Sequence, residues 1–425
     1  MVIIHFQKKS QAEWMILYII SLAMISLGLT DILKAPSALK YTIDIAWIVL
    51  GLLLCMKRRY HFDKDVRLLV IISMLFFLFA CFGYLKNFQN ILYNLWGFRN
   101  NLRFFVFFFA CILFLREERV SGIFKLVDVL FWVNFPLVLV QYFVMHKSRD
   151  YLGGIFGTNK GCNAAMNIFL LLVVIYAVLL YTHKRDGIKQ CLIRCIIAIV
   201  IAALSELKVF FVELVLILGF LFLMDRFGVR KLFLGIGVTV CLFMGLRLVA
   251  RLFPSFSGWF TVEGIMEIIA DDRGYTGAND LNRLVAVSQA MERYLNGSWE
   301  ILFGFGLGNC DYASFNILKT PFYQRYSSSH YVWFSSAFLV LETGIVGLGL
   351  YLSFFGVAFS MARKREKSGK ADVLYCQMAE LMAMMSVIQC FYNASLRTEV
   401  GYLVYFALAL PFLVKNKNAA ECCEE

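Results

Sequence analysis

The chain has 425 residues, 60% hydrophobic and only 16% charged, with a mean hydropathy of +0.72, whereas soluble domains are about 45 to 50% apolar and about 25% charged. A water-soluble globular fold is excluded, because it could not hide that much apolar surface. The net charge of +12 does not point to nucleic acid, since Lys and Arg lie in short loops between apolar runs rather than in one basic domain.

In chain order, apolar runs occur near 13–30, 41–56, 68–84, 104–115, 126–145, 166–182, 192–204, 209–224, 232–250, 332–359, 373–391 and 400–414. A helix of about 20 residues crosses a bilayer, so the expected fold is an all-α integral membrane protein with about twelve transmembrane helices. The run beginning near Trp14 reads as a permanent span rather than a removable signal, because further spans follow and no small-residue cleavage pattern closes it. The loops carrying Lys8-Lys9, Lys57-Arg58-Arg59, Lys184-Arg185, Arg230-Lys231, Arg363-Lys364-Arg365 and Lys415 alternate with less basic ones. By the positive-inside rule the basic set is cytoplasmic, with both termini inside.

The expected organisation is one membrane domain: 1–250 with helices 1–9, a large extracytoplasmic loop at 251–331, helices 10–12 in 332–414 and a cytoplasmic tail at 415–425. The tail's Cys422-Cys423 does not make a prenylation box. Loops of this size are functional or disordered. This one has Trp259, Phe260, Trp299 and an amphipathic pattern from Asp280 to Leu295, so it is expected to be ordered and partly helical. The twelve cysteines lie mostly inside apolar runs, with no CxxC or Cys/His cluster, so no metal site is expected.

The outward loops hold the groups able to do chemistry. His330 follows Ser327-Ser328-Ser329, so the serines are expected to cap a helix whose first turn holds a neutral imidazole. The competing reading is an interfacial histidine with no task. Gly304, Gly306 and Gly308 suit a tight turn at the membrane surface, whose amides could also form an anion nest. Ser205-Glu206-Leu207-Lys208 reads as a hairpin placing Lys208 at a helix N-terminus that attracts anions; a lysine snorkelling toward Glu206 or lipid headgroups is the alternative. Arg283 sits on the polar side of the loop helix, where a solvated charge is the plain reading. Asp44, Asp128, Glu213, Glu342 and Glu380 fall inside spans. Such residues form ion pathways or pair between helices.

The C-terminal half resembles the O-antigen ligase and polymerase superfamily of bacterial envelope glycan assembly. The pattern is Arg283 opening a loop helix, then Leu302-Phe303-Gly304-Phe305-Gly306-Leu307-Gly308, Ser329-His330-Tyr331 and Leu341-Glu342-Thr343-Gly344-Ile345-Val346-Gly347. Upstream, Phe156-Gly157-Thr158-Asn159 with Asn163 is similar to the family's Gly/Asn-rich outward segment, and Trp96-Gly97-Phe98-Arg99-Asn100 to a loop of its polymerases. Lys208 stands where the family often has Arg, and Tyr331 where Asn often follows the His.

The resemblance implies a cofactor-free, metal-independent glycosyltransferase in the bacterial cytoplasmic membrane. Its donor would be an oligosaccharide on polyprenyl diphosphate. His330 and Arg283 would be catalytic, Lys208, Arg283, Gly304, Gly306 and Gly308 would hold the diphosphate, and Glu342, Asn159 and Arg99 would support them. Membrane lipids, a flippase and a chain-length regulator would be its partners. Polymerisation of repeat units is the favoured activity and ligation to lipid A core the nearest rival. A secondary transporter or flippase is more distant, since no sequence repeat is present.

Overall fold

The computed structural model describes residues 2–56, 63–224, 229–252, 280–283, 285–312 and 316–414, and all structural statements below refer to these. Most of the large loop, with Trp259 and Phe260, and the tail 415–425 lie outside them.

The described residues form helices without a β-strand. In order these are α1 (Val2–Asp31), α2 (Leu39–Met56), α3 (Lys64–Lys86), α4 (Ile91–Phe114), α5 (Glu117–Phe143), α6 (Cys162–Thr182), α7 (Ile188–Leu204), α8 (Lys208–Met224) and α9 (Val229–Leu252). Short helices α10 (Ala286–Tyr294), α11 (Ser298–Phe303) and α12 (Pro321–Tyr326) follow, then α13 (Ser335–Lys367), α14 (Val373–Tyr392) and α15 (Gly401–Leu413). All twelve apolar runs fall on helices. Eight of those helices, α1 to α6, α13 and α14, are long and apolar enough to cross a membrane, which makes the chain a multi-pass membrane protein.

The surface supports that conclusion. Ile45, Ile48 and Leu52 on α2, and Leu68, Ile71, Met74 and Leu78 on α3, are exposed at helical spacing, so whole apolar stripes face outward. Soluble monomers rarely expose contiguous patches of that kind. α6 and α14 are the central helices, with 83% and 72% of their apolar stretches buried against 22% for α2. α13 packs along α14 and α3, and α4 along α15. Phe104, Phe105, Phe107 and Phe108 of α4 meet Tyr351, Phe354, Tyr402 and Tyr405 in this core.

Hydrogen bonds tie the chain together at both ends of the bundle. At the basic end Arg185 pairs with Asp372, Lys364 with Asp65, Arg365 with Asp63 and Arg116 with Glu13. α1 starts and α15 stops here, so both described termini share one end. At the opposite end the connections interlock, among them the described residues of 87–90, 144–161, 205–207, 280–283, 285–312, 316–334 and 393–400. Asn163 donates to Ser205 O at 3.3 Å, Leu281 N to Ser329 O at 3.0 Å and Ser335 N to Asn393 O at 3.0 Å.

Two sequence expectations are corrected here. The fourth apolar run was expected to begin near 104, with Trp96 to Asn100 likened to a loop, but Trp96 to Asn101 are helical and belong to α4, which begins at Ile91. The amphipathic helix expected from Asp280 to Leu295 is confined to Ala286–Tyr294. Residues 280–282 instead run beside Ser329, with Asn282 N donating to Gln289 Oε1 at 2.7 Å. α13 is broken at Gly344 (φ 66°, ψ −172°).

The acidic residues inside spans have partners within the chain. Asp44 pairs with Arg99, Asp128 with Arg194, and Glu213 accepts from Asn167 and Gln389. Glu380 lies 3.9 Å from Arg363, and Glu342 accepts from the amides of Gly308 and Cys310. Pairing between elements accounts for these charges, and the ion-pathway reading loses its main motive.

Candidate functional site

The interlocked end gathers most of the residues singled out in the sequence. α8 opens at Lys208, as the hairpin pattern requires. Its Nζ lies 3.5 Å from Glu206 Oε1, and Glu206 Oε2 lies 3.2 Å from Arg149 Nε. Lys208 is also within electrostatic reach of both Arg283 and Arg149. The Arg283 guanidinium stacks on Tyr392 at 4.0 Å and faces Phe334 at 5.9 Å. Lys208 thus makes the Glu206 pairing of the alternative reading, with Arg149 on the same carboxylate and Arg283 within electrostatic range. Sequence reasoning passed over Arg149 because it sits in an unremarkable polar loop.

The backbone that carries His330 is paired to the segment that carries Arg283, since Leu281 N, two residues before Arg283, donates to the Ser329 carbonyl. The setting of His330 differs from the expectation. It does not open a helix: it sits in the left-handed region (φ 53°) between one-turn 3₁₀ segments at Ser327–Ser329 and Tyr331–Trp333, and α13 begins only at Ser335. Ser329 Oγ donates back to Tyr326 O at 2.8 Å, closing the preceding turn instead of capping the following helix. The helix-dipole argument for a neutral imidazole therefore lapses. The ring stacks on Trp333 at 3.9 Å, Lys160 Nζ lies 4.7 Å from the same indole, and the His330 Nδ1 atom is buried without a hydrogen-bond partner.

The glycines form the tight turn their spacing suggested, but not the anion nest that was the second reading: the amides of Gly304, Gly306 and Gly308 donate within the chain, to Glu300 O, Glu342 O and Glu342 Oε1 respectively. Phe305 N takes Leu341 O. The glycines are needed for close backbone approach: a Cβ on Gly308 (φ +84°) would sit 1.7 Å from Tyr93 O, and one on Gly97 would sit 2.3 Å from Gly308 N. The turn is a packing device locked against α4 and α13 by Glu342. Asn159 is an exposed turn residue whose carbonyl accepts from Cys162 N, and Asn163 rather than Asn159 ties the loops together.

Arg99 leads to a feature the sequence did not reveal. It belongs to the wall of a polar cavity of about 290 Å³ formed by α2, α4, residues 311–312, Val332, Phe338 and the 394–399 connection. Lys40, Arg103 and Arg397 are its other cations and Asp311 and Glu399 its carboxylates. Lys208, Arg283 and His330 are not among its lining residues. Arg99 makes a forked pair with Asp44 (3.0 and 2.6 Å), Arg103 reaches Glu399 Oε1 at 3.4 Å and Arg397 O at 2.7 Å, and Asp311 accepts from Asn100 Nδ2 at 2.5 Å.

No protein-family model and no curated protein matches this chain.

The carboxylates of the cavity titrate in opposite senses. Burial pushes the Asp311 carboxyl up, against the opposing charge of Arg397. Burial also works against ionisation of Glu399, but Arg103, a backbone amide, Arg99 and Lys40 together outweigh it and hold this carboxyl below its ordinary value. Among the described residues no three His, Cys, Asp or Glu side chains group as metal ligands would. One clue to the cavity was present in the sequence: Asn100, Asn101 and Arg103 interrupt a phenylalanine-rich run, a composition unlike a lipid-facing helix.

Proposed function

We propose that the chain is a membrane glycosyltransferase that joins polyprenyl-diphosphate-linked repeat units of a surface polysaccharide. In this reading the interlocked end faces outward from a bacterial cytoplasmic membrane, the twelve apolar helices span or line the bilayer, and both termini are cytoplasmic. The observation that supports it is the grouping of Lys208 and Arg149 on Glu206, with Arg283 within electrostatic range of Lys208, at the end where the long connections meet; the Arg283 segment pairs through its backbone with the one that carries His330.

The chemistry suits those groups. An acceptor hydroxyl attacks the anomeric carbon of the donor sugar as the bond to the diphosphate oxygen breaks, and the lipid diphosphate leaves with the electron pair. Lys208 and Arg283 offset the negative charge on the leaving group, a role worth about 3 to 4 kcal/mol per well-placed donor. His330 takes the hydroxyl proton, worth roughly 100- to 10,000-fold in rate.

Deleting the gene and separating surface glycan by electrophoresis tests the activity. Single capped repeats are expected; long glycan accumulating on the lipid carrier would indicate ligation instead, and an unchanged ladder would refute both. With purified protein, His330→Ala should bind the lipid-linked donor nearly normally and transfer it at least about 100-fold more slowly in a single turnover. Near-normal transfer would leave His330 without a catalytic role. Arg283→Lys should restore only part of the activity lost in Arg283→Ala, because the planar fork is missing.

A further inference from the structure

The cavity between α2, α4 and the 394–399 connection is unused by the transfer chemistry, yet its wall is built for a ligand. Three lining side chains carry buried N–H groups without a hydrogen-bond partner: Trp96 Nε1, Arg103 Nε and Arg397 Nη1. All three are donors. A buried donor left unsatisfied costs about 1 to 3 kcal/mol, and more when charged, so three on the side chains of one cavity wall favour an occupant rich in acceptor oxygens. The Arg397 guanidinium lies over Phe338, its carbon 3.3 Å from the ring centre, and Trp96 lies under Arg99 at 4.7 Å. Tyr41 and Tyr312 also line the cavity, and aromatic rings beside polar groups suit the alternating apolar and hydroxyl faces of a sugar ring.

The charges narrow the class. Four cations line the cavity, Lys40, Arg99, Arg103 and Arg397, against two carboxylates, Asp311 and Glu399. Asp44 holds Arg99 from outside the wall, and Glu342 also acts on Arg397, although its Oε1 is committed to the amides of Gly308 and Cys310. The wall alone has two more cations than carboxylates, Asp44 and Glu342 formally balance those two, and the burial that pushes the Asp311 carboxyl up returns a small excess, which suits one carboxylate better than a diphosphate. The volume of about 290 Å³ is near the lower end for small-molecule pockets, about 300 to 1,000 Å³, and fits a single sugar unit rather than a long glycan.

We propose that this cavity is a subsite for an acidic sugar, a ring bearing one carboxylate, with the carboxylate on Arg397 and ring oxygens on Arg103 and Trp96. The proposal rests on the glycan-transfer reading and adds a substrate class to it: a repeat unit containing a uronic-acid type residue. The two are separable, because binding of a soluble sugar acid requires no transfer.

The test uses the purified full chain in lipid nanodiscs with methyl glucuronide, methyl glucoside and pyrophosphate as probes, read by saturation-transfer NMR. Methyl glucuronide is expected to bind, the glucoside at least about tenfold more weakly, and Arg397→Gln to weaken the glucuronide by about tenfold or more. Thermal melting followed by tryptophan fluorescence checks that the variant is folded. If it is not, Lys40→Gln in the cavity wall should weaken the glucuronide roughly threefold. No glucuronide binding, equal binding of glucoside and glucuronide, or binding indifferent to these substitutions would overturn the proposal. So would pyrophosphate displacing glucuronide at lower concentration than glucuronide itself, which would assign the cavity to the lipid carrier. Arg397-dependent glucuronide binding alongside an unchanged glycan ladder in the deletion strain would sink the transfer reading and leave the sugar-acid site standing.

Discussion

Glu342 holds the glycine turn to α13, and removing its side chain should loosen one end of the molecule in a measurable way. Glu342 and Cys310 are fully buried. The Glu342 Oε1 atom accepts from Gly308 N at 2.9 Å and Cys310 N at 3.3 Å. In Glu342→Ala both amides lose their acceptor, at about 1 to 3 kcal/mol each, or about 2 to 6 kcal/mol together. The bonds from Phe305 N and Gly306 N to the carbonyls of 341 and 342 survive, so the change should open the turn locally rather than unfold the bundle. At the lower limit the opened population rises about 30-fold. Cys310 reports this opening directly, because its thiol becomes accessible when the turn lifts. Labelling with a small maleimide in nanodiscs, quantified at the Cys310 peptide by mass spectrometry, should be at least about 30-fold faster in Glu342→Ala. Glu342→Gln keeps an oxygen at the same place and should change the rate by less than about tenfold. Equal labelling of Cys310 in wild type and Glu342→Ala would refute the clamp.

Gly308→Ala places a methyl 1.7 Å from Tyr93 O at a positive φ, and should destabilise by more than about 4 kcal/mol, seen as loss of folded protein in size-exclusion chromatography. Gly161 shares the positive φ (+86°) but has open space around it; Gly161→Ala should cost only the backbone strain, about 1 to 2 kcal/mol, and remain folded. Glu399 contributes stability through a depressed pKa, so the contribution is present above the ordinary carboxyl value of 4.5 and lost as pH falls through the lower folded value. Melting temperatures measured below pH 4.5 should fall more steeply for wild type than for Glu399→Gln, and parallel curves would contradict the Arg103 pairing. Both Ser328 and Ser368 are exposed, at opposite ends of the bundle; with other cysteines replaced, an impermeant thiol reagent on intact cells should label Ser328→Cys and spare Ser368→Cys, and the reverse would invert the proposed orientation.

The helices were legible because burial in lipid selects long apolar runs, and all twelve runs lie on helices. The start of α4 was not. Trp96 to Asn101 look like loop to a hydropathy reading, yet they continue the helix because their polar groups turn inward to partners such as Asp44 and Asp311. Those partners are 55 and 211 residues away in the chain, so no local window finds them. The same distance hid the cavity, whose key residue Arg397 looks like an ordinary loop charge between two spans. Spaced glycines announced a tight turn at 304–308, but not that Glu342 would fill the place expected for an anion. For His330 the serine run suggested a cap, and only tertiary pairing with Leu281 shows that the chain turns left-handed there before the helix begins.

The break at Gly344 carries a consequence for how the protein is made. An intact helix would give the carbonyls of Leu341 and Glu342 to its own next turn; here Phe305 and Gly306 supply those amides from a segment synthesised earlier. Bare carbonyls are costly in hydrocarbon, so the first half of α13 has no settled resting state in the bilayer until residues 302–308 arrive beside it. Membrane insertion of α13 and folding of the turn are therefore one event, and a nascent chain stalled between them would present an unfinished helix for quality-control proteases to find.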